Sequence, residues 1–231
     1  MTELTTIVDG EVWATERTVW FSGVRLRART SIMKLADDGL LIHSPAPLSE
    51  ELKARIAQLG PVRWLVVPNC FHHLGTPAAA AAFPDAKVVG PPSAAAKNPA
   101  LHLDLEICDP SFAAHVPELA VLPLAGVPFL DETLLYHRPT ETLFGADAVL
   151  RADEHDHFTW RIASRMLGCY RRVRVPPDVK KEVANREAAA ESLRALERLP
   201  VRRLVVAHGE VIDEDPVAKL LEAWKLVGVG T

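Results

Sequence analysis

One stretch of this sequence limits the possible folds more than any other. Residues 62–67 form a compact apolar run of strand length, and residues 68–75 follow at once with the sequence Pro-Asn-Cys-Phe-His-His-Leu-Gly. Thr76 and Pro77 then fit the N-cap and first position of an alanine-rich helix, and residues 86–89 are predicted to form a second strand. This order of strand, polar loop, helix and strand is typical of an α/β fold, in which functional sites lie in the loops that follow the strands.

The chain before this segment shows a different pattern. Three short strands of an antiparallel meander are predicted there, over residues 25–28, 32–35 and 39–43. Ser49 then fits a helix N-cap, and Gly60 fits a helix stop. Apolar residues at helical spacing between them predict a helix over residues 50–59. The chain therefore changes from antiparallel strands to alternating strands and helices.

The chain after residue 90 continues in the mixed α/β pattern. Residues 91–118 are rich in proline and alanine and predict loop with short helices. The predicted strands cover residues 119–124, 132–136, 141–144 and 201–207. The predicted helices cover residues 158–167, 178–199 and 216–227. The fold class is therefore α/β, or α+β where the strands are antiparallel.

Composition excludes several classes of protein. The 231 residues are 48% hydrophobic and 24% charged with a net charge of -4, as in a globular protein that does not depend on a basic surface. Three scattered cysteines favour a reducing compartment over a disulfide framework. The sequence shows neither an export signal nor an apolar segment of membrane-spanning length. We therefore expect a single cytoplasmic domain over residues 1–231, with no nucleic-acid and no membrane partner.

Metal-binding side chains follow three of the predicted strands. His72 and His73 come after the strand at residues 62–67, Asp147 after that at 141–144, and His208 after that at 201–207. Each of these side chains, taken alone, is more often a capping or half-buried polar residue than a ligand. Imidazoles and a carboxylate together suit zinc, iron or manganese. Their order and spacing favour one divalent metal site, with zinc as the first candidate.

The order of these motifs resembles that of the metallo-β-lactamase superfamily. The resemblance is carried by the His-His-Leu-Gly loop, the strand that ends at Asp147, and the Val-Ala-His-Gly sequence that ends at Gly209. It covers nearly the whole chain. It implies a four-layer αββα sandwich of two mixed β-sheets flanked by helices.

The chain departs from that family at specific positions. The family's first metal loop commonly reads His-x-His-x-Asp-His, and here Pro68 and Cys70 stand at its first two histidines, His72 at its aspartate and His73 at its last histidine. Residues 126–129 also lack the histidine expected before the strand at 132–136. These three losses affect the first metal site of the family, whereas the second site is filled. The resemblance therefore implies a single metal held by the second set of ligands.

A further resemblance is to a little-characterised branch of the same superfamily. It is carried by Asn-x-x-His-His, which begins at Asn69, and by His-Arg-Pro-Thr-x-Thr-Leu at residues 137–143. His43 and the two residues after it fall where many members carry an aspartate that steadies the metal loop. Asn69, His43 and His137 are therefore candidates to support a ligand from behind. The two histidines also fit plain core or turn positions.

The sequence is compatible with three roles for Cys70. These roles are a soft metal ligand, a thiolate nucleophile beside a cation, and a small apolar residue packed behind the loop. The last role is the one favoured by the usual burial of free cysteine. All three remain open from the sequence.

The leading functional hypothesis is metal-dependent hydrolysis of a small molecule. A metal-bound water would lose a proton near neutral pH and attack an electrophilic carbon or phosphorus. Four protein ligands saturate tetrahedral zinc, so catalysis needs a fifth position or a weakly held ligand. The alternative is a structural or non-catalytic metal-binding module on the same scaffold. A nucleic-acid adaptor using Arg171, Arg172 and Arg174 is disfavoured by the acidic total, and no feature of the sequence specifies an oligomeric state.

Overall fold

A computed structural model describes residues 3–230, which contain two mixed β-sheets and eight α-helices. The chain separates into two compact units. Among the described residues, the first unit comprises those up to Arg17 together with residues 29–121, and the second comprises residues 18–28 and those from 122 onwards. The prediction of a single domain stays a prediction. The two mixed sheets and their helices confirm the predicted fold class.

The larger sheet has seven strands whose order in space follows their order in the chain. They are β1 (Leu4–Val8), β2 (Val12–Phe21), β3 (Val24–Lys34), β4 (Leu40–His43), β5 (Val62–Val66), β6 (Lys87–Gly90) and β7 (Leu105–Glu106). β1 and β2 are antiparallel, as are β3 and β4, whereas β4 to β7 are parallel neighbours. The antiparallel meander is thus longer than predicted. The strands predicted at 25–28 and 32–35 are one continuous strand, and β1 and β2 were not predicted.

Four helices connect or follow the strands of the first unit. They are α1 (Glu50–Leu59), α2 (Thr76–Ala82), α3 (Pro92–Lys97) and α4 (Pro110–His115). α1 has the predicted bounds because the Ser49 side chain accepts a hydrogen bond from the backbone N–H of Leu52, and Leu52 and Ile56 are buried in the core. The prediction of Thr76 as the N-cap of α2 was wrong by one residue. Gly75 holds that position, and the buried Thr76 makes no capping bond.

The smaller sheet has four strands in the order β11, β10, β9, β8. They are β8 (Leu119–Pro123), β9 (Thr133–His137), β10 (Thr142–Phe144) and β11 (Arg203–Val205). β9 and β10 are antiparallel, and β10 and β11 are parallel with Phe144 opposite Val205. Asp147 and His208 each follow these paired residues by three positions. Because parallel strands end at the same edge of a sheet, the two side chains emerge together.

The second unit also contains α5 (Phe158–Leu167), α6 (Pro177–Lys181), α7 (Arg186–Arg194) and α8 (Pro216–Lys225). The bounds of α5 match the prediction. The single long helix predicted over residues 178–199 was wrong, since α6 and α7 are separate and a 3-10 turn follows α7. Asn185 is the cause, because its side chain caps α7 and its backbone N–H bonds the carbonyl of Gly126.

All three cysteines are free, as the sequence predicted. No helix within residues 3–230 combines the length and apolar character needed to cross a bilayer. The cytoplasmic location and the absence of a membrane partner stay predictions.

Candidate metal centre

In the first unit, the loop at residues 68–75 presents His72 and His73, and we call it the first ligand loop. Asn69 shapes it from within. The buried Asn69 amide oxygen accepts hydrogen bonds from the backbone N–H groups of Phe71 at 2.9 Å and His72 at 3.0 Å. Asn69 therefore supports His72 through the backbone of the loop, by the local turn that asparagine side chains commonly form.

Gly75 fixes where the first ligand loop ends. A Cβ atom on this residue would lie 2.6 Å from both the Ala46 Cα and the Pro45 carbonyl oxygen. The backbone of residue 75 therefore packs directly on the chain that follows β4, and any side chain would separate the two segments. The glycine of the His-His-Leu-Gly motif is thus required by this close approach.

The imidazole of His72 is held by a neighbouring hydroxyl. Its Nδ1 lies 2.6 Å from the Oγ of Ser44, in the segment that follows β4. Ser44 is buried and has a positive φ of 56°. A serine hydroxyl can donate to this nitrogen or accept from it. When it accepts the Nδ1 proton, Nε2 of His72 is left to bind a metal. The sequence did not predict Ser44.

His73 is a buried histidine whose surroundings disfavour the charged form of the ring. Its Nδ1 has no hydrogen-bond partner among residues 3–230, and a buried ring nitrogen without a partner is unusual. Burial lowers the pKa of His73, and the positive charges of Lys97 and His72 lower it further. Because the neutral imidazole is the form that binds metals, this environment suits a ligand. The prediction that His73 is a ligand stays a prediction.

Cys70 contacts an ammonium group instead of packing only among apolar side chains. Lys97, at the end of α3, places its Nζ 3.0 Å from the buried Cys70 Sγ and 3.9 Å from the ring centroid of Phe71. This lysine thus contacts two residues of the first ligand loop. No sequence signal identifies this lysine, because Lys97 lies 27 residues from Cys70.

The two histidines predicted to support a ligand occupy different environments. His43, at the end of β4, is fully buried, which lowers its pKa to about 3 together with the nearby charge of His72. His137 is buried at the end of β9, where its Nδ1 lies 2.8 Å from the Thr140 Oγ1. It pairs with Thr142, at the opposite end of β10 from Asp147. His137 therefore stabilises the turn between β9 and β10, and its role in supporting a metal ligand stays a prediction.

In the second unit, Asp147 is positioned by a buried glutamate. The Glu132 carboxylate accepts hydrogen bonds from the backbone N–H groups of Ala146 and Asp147, both at 2.8 Å. One carboxylate therefore satisfies two consecutive N–H groups after β10 and fixes the direction of the Asp147 side chain. Glu132 was not identified from the sequence, since it precedes β9 with no motif around it.

His208 has a ring orientation set by a backbone carbonyl. Its Nδ1 lies 2.7 Å from the carbonyl oxygen of Arg27. A carbonyl oxygen only accepts hydrogen bonds, so Nδ1 must carry the proton. Nε2 of the neutral ring then presents its lone pair, and it lies 3.4 Å from Oδ1 of Asp147. A lone pair therefore faces a carboxylate oxygen unless a proton or a metal lies between them.

This pair of atoms fits a metal ion. Zinc binds imidazole nitrogen and carboxylate oxygen at about 2.0 to 2.2 Å, so two such ligands on one tetrahedral ion are about 3.4 Å apart. The distance between His208 Nε2 and Asp147 Oδ1 has this value. The second unit thus provides one imidazole and one carboxylate donor. The first ligand loop carries two further imidazoles, those of His72 and His73.

The strand segment that contacts His208 is itself anchored. The Arg27 guanidinium donates to Asp153 Oδ2 at 2.5 Å and to Asp156 Oδ1 at 2.8 Å, and both carboxylates are buried. Gly209, with φ of 132°, lies where a Cβ would collide with the Arg151 carbonyl. His208 is therefore held between two fixed backbone segments of the second unit.

The basic cluster after α5 is partly neutralised. Arg171 forms two hydrogen bonds with Glu154, at 2.6 and 3.0 Å, and lies 5.9 Å from the Tyr170 ring centroid. Trp160 is buried, so it offers no exposed face for stacking on a base. These contacts describe an ion-paired surface segment.

Comparisons with known proteins identify the fold. Residues 9–96 match the family described as a domain of unknown function, DUF4336, and no curated protein matches in sequence. A metallo-β-lactamase from Pontibacter korlensis is similar in structure, with a TM-score of 0.65 at 16% identity over 97% of this chain and 99% of that one. One from Erythrobacter litoralis, with β-mercaptoethanol in its active site, has a TM-score of 0.69 at 14% identity, covering 96% of each chain.

A third solved structure is FIM-1 from Pseudomonas aeruginosa, described in its mono-zinc form. Its TM-score is 0.65 at 11% identity, and the match covers 99% of this chain and 96% of that one. These similarities confirm the predicted metallo-β-lactamase fold over nearly the whole chain. Fold alone does not establish activity.

Proposed function

We propose that the chain binds one divalent metal through His72, His73, Asp147 and His208 and uses it to hydrolyse a small-molecule substrate. Zinc is the first candidate, with iron and manganese next. The observation that carries the proposal is the 3.4 Å distance between His208 Nε2 and Asp147 Oδ1, with the His208 tautomer fixed by the Arg27 carbonyl. These two donors present lone pairs to a common point, as metal ligands do.

The first ligand loop supports the same proposal. The Nδ1 of His72 contacts the Ser44 hydroxyl. His73 is buried, its pKa is lowered mainly by that burial, and its Nδ1 lacks a partner within residues 3–230. Imidazole and carboxylate donors together favour a borderline metal over calcium or magnesium. The mono-zinc description of the FIM-1 structure gives a precedent for one metal on this fold.

Hydrolysis would use the following chemistry. A bound divalent metal lowers the pKa of its water from 15.7 towards about 7. In this chain, Glu132 fixes the backbone of Asp147, and the Arg27 carbonyl keeps His208 in one tautomer. These contacts preorganise the ligands before metal or substrate arrives. Pro68 and Cys70 at the positions of the first-site histidines make a two-metal phosphodiesterase mechanism the less favoured one.

Metal analysis of purified variants tests the site. We expect about one metal per wild-type chain, and loss of that metal on replacing His208, Asp147, His72 or His73 by alanine. His102, an exposed histidine outside the site, supplies the control His102→Ala, which should keep full occupancy. Unchanged metal content in His208→Ala would refute the assignment.

Catalysis is tested separately from binding. We expect wild-type protein to hydrolyse a member of a chromogenic panel of esters, lactones, lactams and thioesters, and to lose that activity with a chelator. The rival function is a structural metal, and the burial of His73 favours it if all four donors saturate tetrahedral zinc. Metal removal that lowers the unfolding temperature, with no turnover of any substrate before or after, would support the structural role.

A further inference from the structure

We propose that Ser44 is the positioning residue of His72, so that its hydroxyl sets the metal affinity of the first ligand loop without contributing to the stability of the fold. This inference rests on the proposed metal site. The observation behind it is the 2.6 Å distance between Ser44 Oγ and His72 Nδ1. The two residues are 28 positions apart, so the contact is made by the fold and not by a local turn.

The direction of this hydrogen bond follows from the chemistry of a ligating imidazole. A neutral ring that binds a metal through Nε2 carries its proton on Nδ1 and donates it to an acceptor behind the ring. The Ser44 hydroxyl oxygen is placed to accept that proton. It fixes the rotation of the His72 ring and so aims Nε2 along one direction. Without an acceptor, the His72 ring would rotate in the metal-free protein, and metal binding would then carry the entropy cost of fixing it.

The backbone of Ser44 supports a specific role for the hydroxyl. Ser44 has φ of 56°, in the left-handed region that glycine adopts without strain. Its N–H donates to the Val66 carbonyl at 2.9 Å, and its carbonyl accepts from the Thr30 hydroxyl at 2.7 Å. Both bonds involve only the main chain of Ser44. The position therefore favours glycine for stability, and the hydroxyl is what serine adds.

This separation of roles defines the variants. Ser44→Gly removes the acceptor oxygen and the backbone strain that a side chain causes at positive φ. Ser44→Asn restores an acceptor oxygen on a residue that tolerates the left-handed region. Ser22→Gly is the matched control, since exposed Ser22 has φ of 47° and lies in a turn outside the first ligand loop.

The measurement is zinc affinity, determined by competition with a chromophoric chelator. We expect Ser44→Gly to weaken the zinc Kd by about 10- to 100-fold, the usual effect of losing a partner behind a metal-bound histidine. Ser44→Asn should recover most of that loss, and Ser22→Gly should bind as wild type does. Cobalt-substituted Ser44→Gly should also show an altered visible absorption spectrum, because the ligand geometry changes.

Protein stability separates positioning from a structural role. The metal-free Ser44→Gly variant should unfold at the same temperature as wild type or a higher one. Wild-type affinity in Ser44→Gly, a lower unfolding temperature that accounts for the weaker binding, or no recovery in Ser44→Asn would overturn the role of Ser44 alone. A wild-type protein that binds no zinc, iron or manganese would overturn this inference and the proposed function together.

Discussion

The two ligand-bearing regions of this chain are held in different ways. In the second unit, Asp147 and His208 are fixed by main-chain contacts, because Glu132 accepts two backbone N–H groups and the Arg27 carbonyl binds the His208 ring. In the first unit, the ring of His72 meets a side-chain hydroxyl, Ser44 Oγ. The ring orientation of His208 thus depends on a main-chain carbonyl, whereas that of His72 depends on a side-chain hydroxyl.

This difference predicts where metal affinity and stability are coupled. A change to the supports of the second unit leaves buried N–H groups or carboxylates without partners, so it should lower stability and metal binding together. A change to Ser44 should alter binding alone.

The largest effect is expected for Glu132→Ala. The substitution leaves the buried N–H groups of Ala146 and Asp147 unsatisfied, at a cost of about 3 kcal/mol or more in the free energy of unfolding. Urea denaturation of the metal-free protein measures it. Glu187→Ala, at an exposed position of α7, is the control and should change stability little. A Glu132→Ala protein as stable as wild type would show that the second unit is not held as described.

A smaller effect is expected for Asp156→Asn. This change removes the charge from a buried carboxylate that is hydrogen-bonded to Arg27. It should cost about 2 kcal/mol, the value of a charge-assisted hydrogen bond, and weaken metal binding through the Arg27 carbonyl. Glu154→Gln is the comparison, because it breaks an ion pair with Arg171 that is exposed to solvent. Exposed pairs contribute little, so no measurable change in unfolding is expected. Equal effects from the two variants would contradict the role of burial.

The last effect depends on pH, is absent near neutral pH, and concerns the first unit. Burial, with the nearby charge of His72, lowers the pKa of His43 to about 3. The unfolded chain binds a proton on this histidine below about pH 6.5, whereas the folded chain stays neutral until about pH 3. The contribution of His43 to stability is therefore complete above that range and is lost as pH falls through it.

The slope of this dependence can be measured. Protonation of His43 in the unfolded chain should raise the unfolding equilibrium constant about tenfold for each unit by which the pH falls between about 6 and 4. Denaturant unfolding of metal-free wild type and His43→Gln at several pH values isolates this term as the difference in slope. Identical slopes would mean that His43 titrates normally and that the region behind the first ligand loop is open to water.

Much of the fold could be predicted from local signals. α1 and α5 were located correctly because caps and apolar spacing agree over ten residues in each. The prediction of one helix over residues 178–199 was wrong because the residues on both sides of Asn185 fit a helix, which concealed its role as an N-cap. β1 and β2 were missed, since their partly exposed residues lack clear alternation.

The supporting residues of the site could not be predicted in the same way. Ligand types are recognisable from the sequence, since histidine and aspartate after strands follow a pattern. Ser44, Glu132 and Arg27 act through contacts across 28, 15 and 181 residues, respectively. Such contacts depend on strand pairing, and a serine or a glutamate carries no signal of its own. Sequence therefore predicts the candidate ligands better than it predicts what holds them.

The most direct test of the central claim is anomalous X-ray diffraction from crystals of wild-type protein grown with zinc. One strong anomalous peak is expected about 2.1 Å from Nε2 of His72, from a ring nitrogen of His73, from Nε2 of His208 and from the carboxylate of Asp147. A peak bound only to surface side chains, or a proton-mediated ion pair between His208 and Asp147 with no anomalous signal beside them, would contradict it.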